Sequence, residues 1–142
     1  MRSTIAFVAL ALAVTLAPAV RAETNAAGDD SLHKVTIEEL VKLRAANKVT
    51  AVDANNEIAR SRFGSIPGAI MLSSYQGYDV KELPKDHHQK LVFYCANEKC
   101  MASHAAAHKA IDAGYKDVNI LPAGIMGWRD AGQPTSPSGT GA

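Results

Sequence analysis

Cysteine is scarce in this chain of 142 residues: there are two, Cys95 and Cys100, with four residues between them in the stretch FYCANEKCMAS. No other thiol competes with either for pairing, so the fold must rest on its core rather than on a set of bridges. Charge of one sign is also missing. Fifteen Lys and Arg stand against fourteen Asp and Glu, with no basic cluster, which leaves no electrostatic case for nucleic acid or for a membrane surface. There is no internal repeat. No apolar run reaches the ~18 residues of a membrane span. The longest run near the N-terminus, Ile5 to Leu16, follows a single cation, Arg2, and precedes Val20-Arg21-Ala22. That arrangement reads as a secretory signal over residues 1–22. No cysteine lies near the expected cut, so nothing suggests a lipid anchor. Cleavage would remove Arg2 and Arg21 and no acid, leaving a nearly neutral chain in an exported, periplasmic setting. An envelope compartment favours disulfides.

What is present suits one domain. Residues 23–33 read as a flexible polar lead-in. Residues 34–134 read as the domain, and residues 135–142 as a disordered tail rich in Pro, Gly and Ser. Thr36-Ile37-Glu38-Glu39 is a capping box that opens a helix, with Asn47 fitting its stop. Val49 to Asp53 is a short β-branched strand. Gly64 to Ala69 is a turn, and Ala69 to Leu72 is a further apolar run. The polar stretch 73–89, with His87 beside His88, holds at most a helical piece and reads as solvated loop. Leu91 to Tyr94 is unbroken and apolar, as in a strand covered on both faces. Ala102 to Ala113 is helical with Gly114 as its C-cap, Val118 to Leu121 is a strand, and Ile125 to Ala131 a last short helix. Helices alternating with short apolar strands predict an α/β fold with a central, mostly parallel sheet flanked by helices in three layers.

Ligands of such sheets bind beyond the carboxyl ends of the strands. Cys95 falls there, between a buried strand and a helix start, where loop N–H groups and the helix dipole lower a thiol pKa and stabilise a thiolate or persulfide. Cys95 is therefore the candidate nucleophile. Cys100 has three readings: a resolving thiol, half of a resting disulfide if the Cα atoms approach within about 7 Å, or a loop residue. Cys95, Cys100, His104 and His108 also spell C-x4-C-x3-H-x3-H, near zinc-ligand spacing. The favoured reading of the two histidines is nevertheless as polar residues on the solvent face of their helix, with no metal bound. Asp53 reads as a strand-end carboxylate that orders the loop by accepting backbone hydrogen bonds. Trp128 reads as a packing residue, and Tyr94 as strand core whose hydroxyl could reach the pocket.

The ordered set of motifs resembles a single-domain rhodanese over about residues 35–134. Val52-Asp53-Ala54 is similar to the family's strand ending in Asp. Gly64-Ser65-Ile66-Pro67-Gly68-Ala69 is similar to its G-H-I-P-G-A turn, with Ser65 in place of His. Phe93-Tyr94-Cys95 resembles the strand that delivers the active-site cysteine. Gly114-Tyr115, Val118, Leu121, Gly124 and Trp128, then Ala131-Gly132-Gln133-Pro134, resemble the closing pattern. The resemblance implies a rhodanese-like fold and a sulfurtransferase in which Cys95 takes sulfane sulfur from a donor such as thiosulfate. It would hold that sulfur as a persulfide in a cradle of Ala96, Asn97, Glu98, Lys99, Met101, Ala102 and Ser103, then pass it to a thiol or cyanide. No cofactor is implied. A thiol-redox protein is an expected partner if Cys100 resolves the intermediate. The alternative is a non-catalytic rhodanese-like binding or thiol-redox module of the cell envelope. Typical members have Arg and Ser five and six positions after the cysteine. Here Cys100 or Ala102 takes the Arg place, depending on register, and Asn55 sits where another Arg often stands. The bidentate anion clamp is missing, with Lys99 only a point-charge substitute. That weakens the case for the thiosulfate dianion and strengthens that for a neutral or carrier-bound donor.

Overall fold

The computed structural model describes residues 32–137, so the expected signal segment and most of the lead-in lie outside the described residues. Five strands form one sheet in the order β1-β5-β4-β2-β3, with every pairing parallel. The strands are β1 (His33–Lys34), β2 (Thr50–Asp53), β3 (Ile70–Met71), β4 (Leu91–Tyr94) and β5 (Val118–Ile120). The helices are α1 (Ile37–Ala45), α2 (Glu57–Phe63), α3 (Ala102–Asp112) and α4 (Gly124–Asp130). The expected fold class is the observed one.

Strand β4 shows why three layers form. All four of its residues are buried, and they divide with a period of two. Leu91 and Phe93 join a core cluster with Val52, Ile120 and the α3 face of Ala106, Ala107 and Ala110. Val92 and Tyr94 join a second cluster with Leu40 of α1 and Ile125 and Trp128 of α4. The small alanines let α3 lie close to the sheet, while the other face takes the bulk of Trp128. Full burial of a side chain such as Phe93 contributes about 1.5–3 kcal/mol. Trp128 is fully buried and donates its Nε1–H to the Pro134 carbonyl at 2.8 Å.

Thr36 caps α1 by accepting from the Glu39 N–H at 3.1 Å. The full reciprocal box instead closes at Asp79 and Glu82, around the short 3-10 turn Val80–Glu82. That turn is the only helical piece described within residues 73–89. Asn47, at φ 53°, ends the α1 region in the left-handed conformation. Two expected boundaries shift. Leu32 is buried and His33 pairs with Asn119, so these two residues, expected in the lead-in, belong to the fold. At the other end, Ser136 bridges Ser65 through paired backbone hydrogen bonds, so the first tail residues belong to the fold.

Candidate active site

Chain order reverses between β2 and β4. From β2 the chain moves outward to β3, and from β4 it moves the other way to β5. The carboxyl ends of β2 and β4 therefore flank the topological switch point, where open α/β sheets bind ligands. Asp53 ends β2, Cys95 follows β4, and Asp53 pairs in register with Tyr94.

Below this crevice lies a buried polar knot. Asp53 is fully buried. Its Oδ1 accepts from the Asn55 N–H at 2.7 Å, and its Oδ2 accepts from the Tyr94 hydroxyl at 2.8 Å. Tyr94 Oη in turn accepts from the Ile66 N–H at 2.9 Å. Arg60, on α2, donates through Nη2 to the carbonyls of Asp53 and Leu72 at 3.1 and 2.8 Å. Its Nε stands 3.6 Å from Asp53 Oδ1, too far for a hydrogen bond but close enough for the charges to attract. Burial, then the neighbouring Asp53 charge, pushes the Tyr94 phenol far above its ordinary pKa, so it stays a donor. The loop-ordering part expected of Asp53 is the geometry seen. Tyr94 differs from its second reading: its hydroxyl is committed to Asp53 and Ile66 and does not serve the pocket. Arg60 was not anticipated, because nothing in the polar run after Asp53 announced α2.

Cys95 and Cys100 are joined as a disulfide, with Cα atoms 6.2 Å apart. Cys95 is only 1% exposed, whereas Cys100 is half-buried. Cys95 Sγ lies 2.9 Å from the Cys100 carbonyl oxygen and 3.4 Å from Ser103 Oγ. The loop is held from the far side by α4. The N–H groups of Ile125 and Met126 donate to the carbonyls of Cys95 and Ala96 at 2.8 and 3.0 Å. Gly124, at φ 61°, allows this approach, since a Cβ there would stand 2.6 Å from the Cys95 and Ala96 carbonyl oxygens.

The residues expected to form one cradle are split by the disulfide-bonded loop. Ala96, Met101 and Ala102 line a cavity of about 550 Å³ together with Cys100 and residues 54–56 that follow β2. Asn97, Glu98 and Lys99 line a different cavity, of about 410 Å³, beside Asp130. Lys99 is thus on the wrong side of the loop to replace the missing arginine. Asn97 also consumes two of the loop donors: its Oδ1 accepts from the Lys99 N–H and its carbonyl from the Cys100 N–H, both at 3.0 Å. Ser103 is buried between Cys95 Sγ and His104 Nδ1, 3.5 Å from the latter.

His104 corrects another expectation. It is 8% exposed and faces inward beside Ser103, rather than toward solvent; His108 is half-buried. Among the described residues no three His, Cys, Asp or Glu side chains gather as a metal site. The zinc-like spacing therefore does not become a ligand cluster, because Cys95 leaves the end of a strand while both histidines sit on α3.

Fold and site together define an open parallel α/β protein with a cysteine loop at its switch point. The rhodanese-like domain family model matches residues 36–131, and the chain belongs to that family. A Rhodopseudomonas palustris protein of unknown function, described as a possible tyrosine phosphatase, superposes with a TM-score of 0.62 at 29% identity, over 76% of this chain and 87% of that one. A thiosulfate sulfurtransferase from Pseudomonas aeruginosa gives 0.64 at 25% identity, over 80% of this chain but 22% of its own longer chain. A single-domain sulfurtransferase from Saccharomyces cerevisiae gives 0.58 at 21%, over 73% and 97%, which shows likeness of fold. No curated protein matches the sequence.

Proposed function

We propose that the protein is a sulfurtransferase that carries sulfane sulfur as a Cys95 persulfide, with Cys100 as the resolving thiol. The observation that supports this most is the Cys95–Cys100 bridge at the switch point, with Cys95 buried at the strand end and Cys100 facing the cavity. In the first half-reaction the reduced Cys95 thiolate attacks the outer sulfur of a donor. The donor S–S bond breaks, and its remainder leaves with the bonding electron pair, as sulfite from thiosulfate or as a thiolate from an organic persulfide. In the second, cyanide or a thiolate attacks the outer sulfur and Cys95 leaves as thiolate. Without an acceptor, the Cys100 thiolate attacks Cys95 Sγ and expels hydrosulfide. The sulfane sulfur is then reduced, the two cysteines are oxidised to the disulfide, and a dithiol or thiol-redox protein must restore them.

No metal or organic cofactor enters these steps. The apolar N-terminal segment supports an exported protein, and a periplasmic setting would keep the resting disulfide formed. The second reading, a thiol-redox module without sulfur transfer, is favoured by the same disulfide. Intact mass separates the two. The dithiol-reduced protein, freed of reductant and treated with a sulfane donor, should gain one sulfur atom that maps to Cys95. Clean cycling between dithiol and disulfide with no sulfur gain from any donor would leave the redox reading.

A further inference from the structure

A buried histidine that the sulfur-transfer steps leave unused lies one side chain away from the nucleophile. His104 is 8% exposed on the first turn of α3, and Ser103 beside it is 2% exposed. Ser103 Oγ stands 3.4 Å from Cys95 Sγ and 3.5 Å from His104 Nδ1. Three observations bear on what this line of groups does. The loop spends its own donors, because the Lys99 and Cys100 N–H groups both turn to Asn97. The Cys100 carbonyl oxygen lies 2.9 Å from Cys95 Sγ; such an oxygen accepts from a neutral S–H and opposes a negative sulfur. The ionisable groups of the surrounding elements are committed elsewhere. Asp53 and Tyr94 bond to each other, Arg60 donates to the carbonyls of Asp53 and Leu72, and Glu98, Lys99 and Asp130 line the cavity on the other side of the loop. Among the described residues, the donor within reach of Cys95 Sγ is the Ser103 hydroxyl. That hydroxyl points its proton at sulfur when its oxygen accepts from a second donor, and a neutral imidazole protonated at Nδ1 is one.

We propose that His104 is a positioning residue for the Cys95 thiolate: its Nδ1–H donates to Ser103 Oγ, and the Ser103 hydroxyl donates to Cys95 Sγ. The pair takes the place of the loop donors lost to Asn97. Both contacts are long against a neutral disulfide sulfur; a thiolate is the stronger acceptor and shortens them. Two steps use the pair, because in each Cys95 leaves as a thiolate. When the thiolate of a dithiol attacks Cys100 Sγ, a new S–S bond forms there, the Cys95–Cys100 bond breaks, and Cys95 Sγ keeps the electron pair. When an acceptor thiolate attacks the outer sulfur of a Cys95 persulfide, the bond to Cys95 breaks in the same sense. The second step rests on the sulfur-transfer reading; the first does not.

Ionisation of Cys95 tests this without any sulfur donor. In the full chain carrying Cys100→Ala, Cys95 is the one thiol, and its thiolate is followed by ultraviolet absorbance across a pH titration. Adding Ser103→Ala should raise the midpoint by about one pH unit, a tenfold shift of the thiol–thiolate equilibrium. His104→Leu should raise it by part of that. His104→Asn, whose amide N–H reaches the same place, should restore most of it. Long-range proton–nitrogen correlation spectra, taken above the imidazole titration, should place the His104 ring proton on Nδ1. An unmoved midpoint in Ser103→Ala overturns the proposal. A midpoint lowered by His104→Leu does the same, since Ser103 would then donate to His104 and not to Cys95. So does a failure of His104→Asn to improve on His104→Leu. A ring proton on Nε2 overturns it as well, and that measurement needs no substitution on α3 to fold. A midpoint that moves as expected in a protein that never gains sulfur at Cys95 would remove the sulfurtransferase reading and keep this one. Sulfur gain at Cys95 with unmoved midpoints would do the reverse.

Discussion

Tyr94 and Cys95 are neighbours with opposite tasks. The Tyr94 hydroxyl is enclosed, donating to Asp53 and accepting from Ile66. Tyr94→Phe strands both partners and should cost about 1–3 kcal/mol in denaturant unfolding; a smaller loss would mean that water takes over the bonds. The Tyr94 pKa is raised in the folded state by burial and then by Asp53. Its contribution is therefore complete below the unfolded-chain value, near pH ~10, and declines as pH rises further. Stability measured from pH 8 upward should fall more steeply in the native protein than in Tyr94→Phe. For Cys95, replacement by Ser should abolish thiocyanate release from every sulfane donor, because the other thiol, Cys100, lies in the loop and not at the strand end; activity kept in Cys95→Ser would refute the nucleophile. Ala102 lines the uncharged cavity. Ala102→Arg should therefore lower the apparent KM for thiosulfate about tenfold or more, since a charge-assisted hydrogen bond contributes about 1.5–3 kcal/mol. An unchanged KM would show that clamping of the anion is not limiting.

Among the elements, α4 decides where the cysteine loop sits. The N–H groups of Ile125 and Met126 in its first turn are spent on the carbonyls of Cys95 and Ala96, and Gly124 is the point of closest approach. Gly124→Ala combines a left-handed φ with a Cβ pressed on backbone oxygens. It should destabilise by about 1–3 kcal/mol and speed hydrogen exchange at Ile125 and Met126. Native-like protection of those two amides would mean that the loop tolerates displacement. Helix α2 acts on the opposite wall. Its Asn56 cap accepts from the Ala59 N–H, and its Arg60 ties the end of β2 to Leu72.

For the whole molecule, the disulfide closes a loop of six residues, while two core clusters pack the sheet faces without it. Reduction by a small dithiol should therefore leave the circular dichroism spectrum and cooperative unfolding in place while switching sulfur transfer on. Loss of the fold on reduction would make the bridge structural. Half-burial of Cys100 gives the reductant a sulfur to attack, and the short loop limits how far Cys95 then moves.

The sequence by itself determined the parallel α/β class, because strand and helix periods alternate and β4 is apolar on both faces. It also marked Cys95, Asp53 and Trp128, whose types and places at element ends carry local physical meaning. Three features were decided only in three dimensions: the inward turn of His104, the separation of Lys99 from Cys100, and the tie from Arg60 to Asp53. Each depends on which strand ends become neighbours and on which side of a loop a side chain leaves. Such long-range choices follow from the β1-β5-β4-β2-β3 order, and no window of consecutive residues records that order.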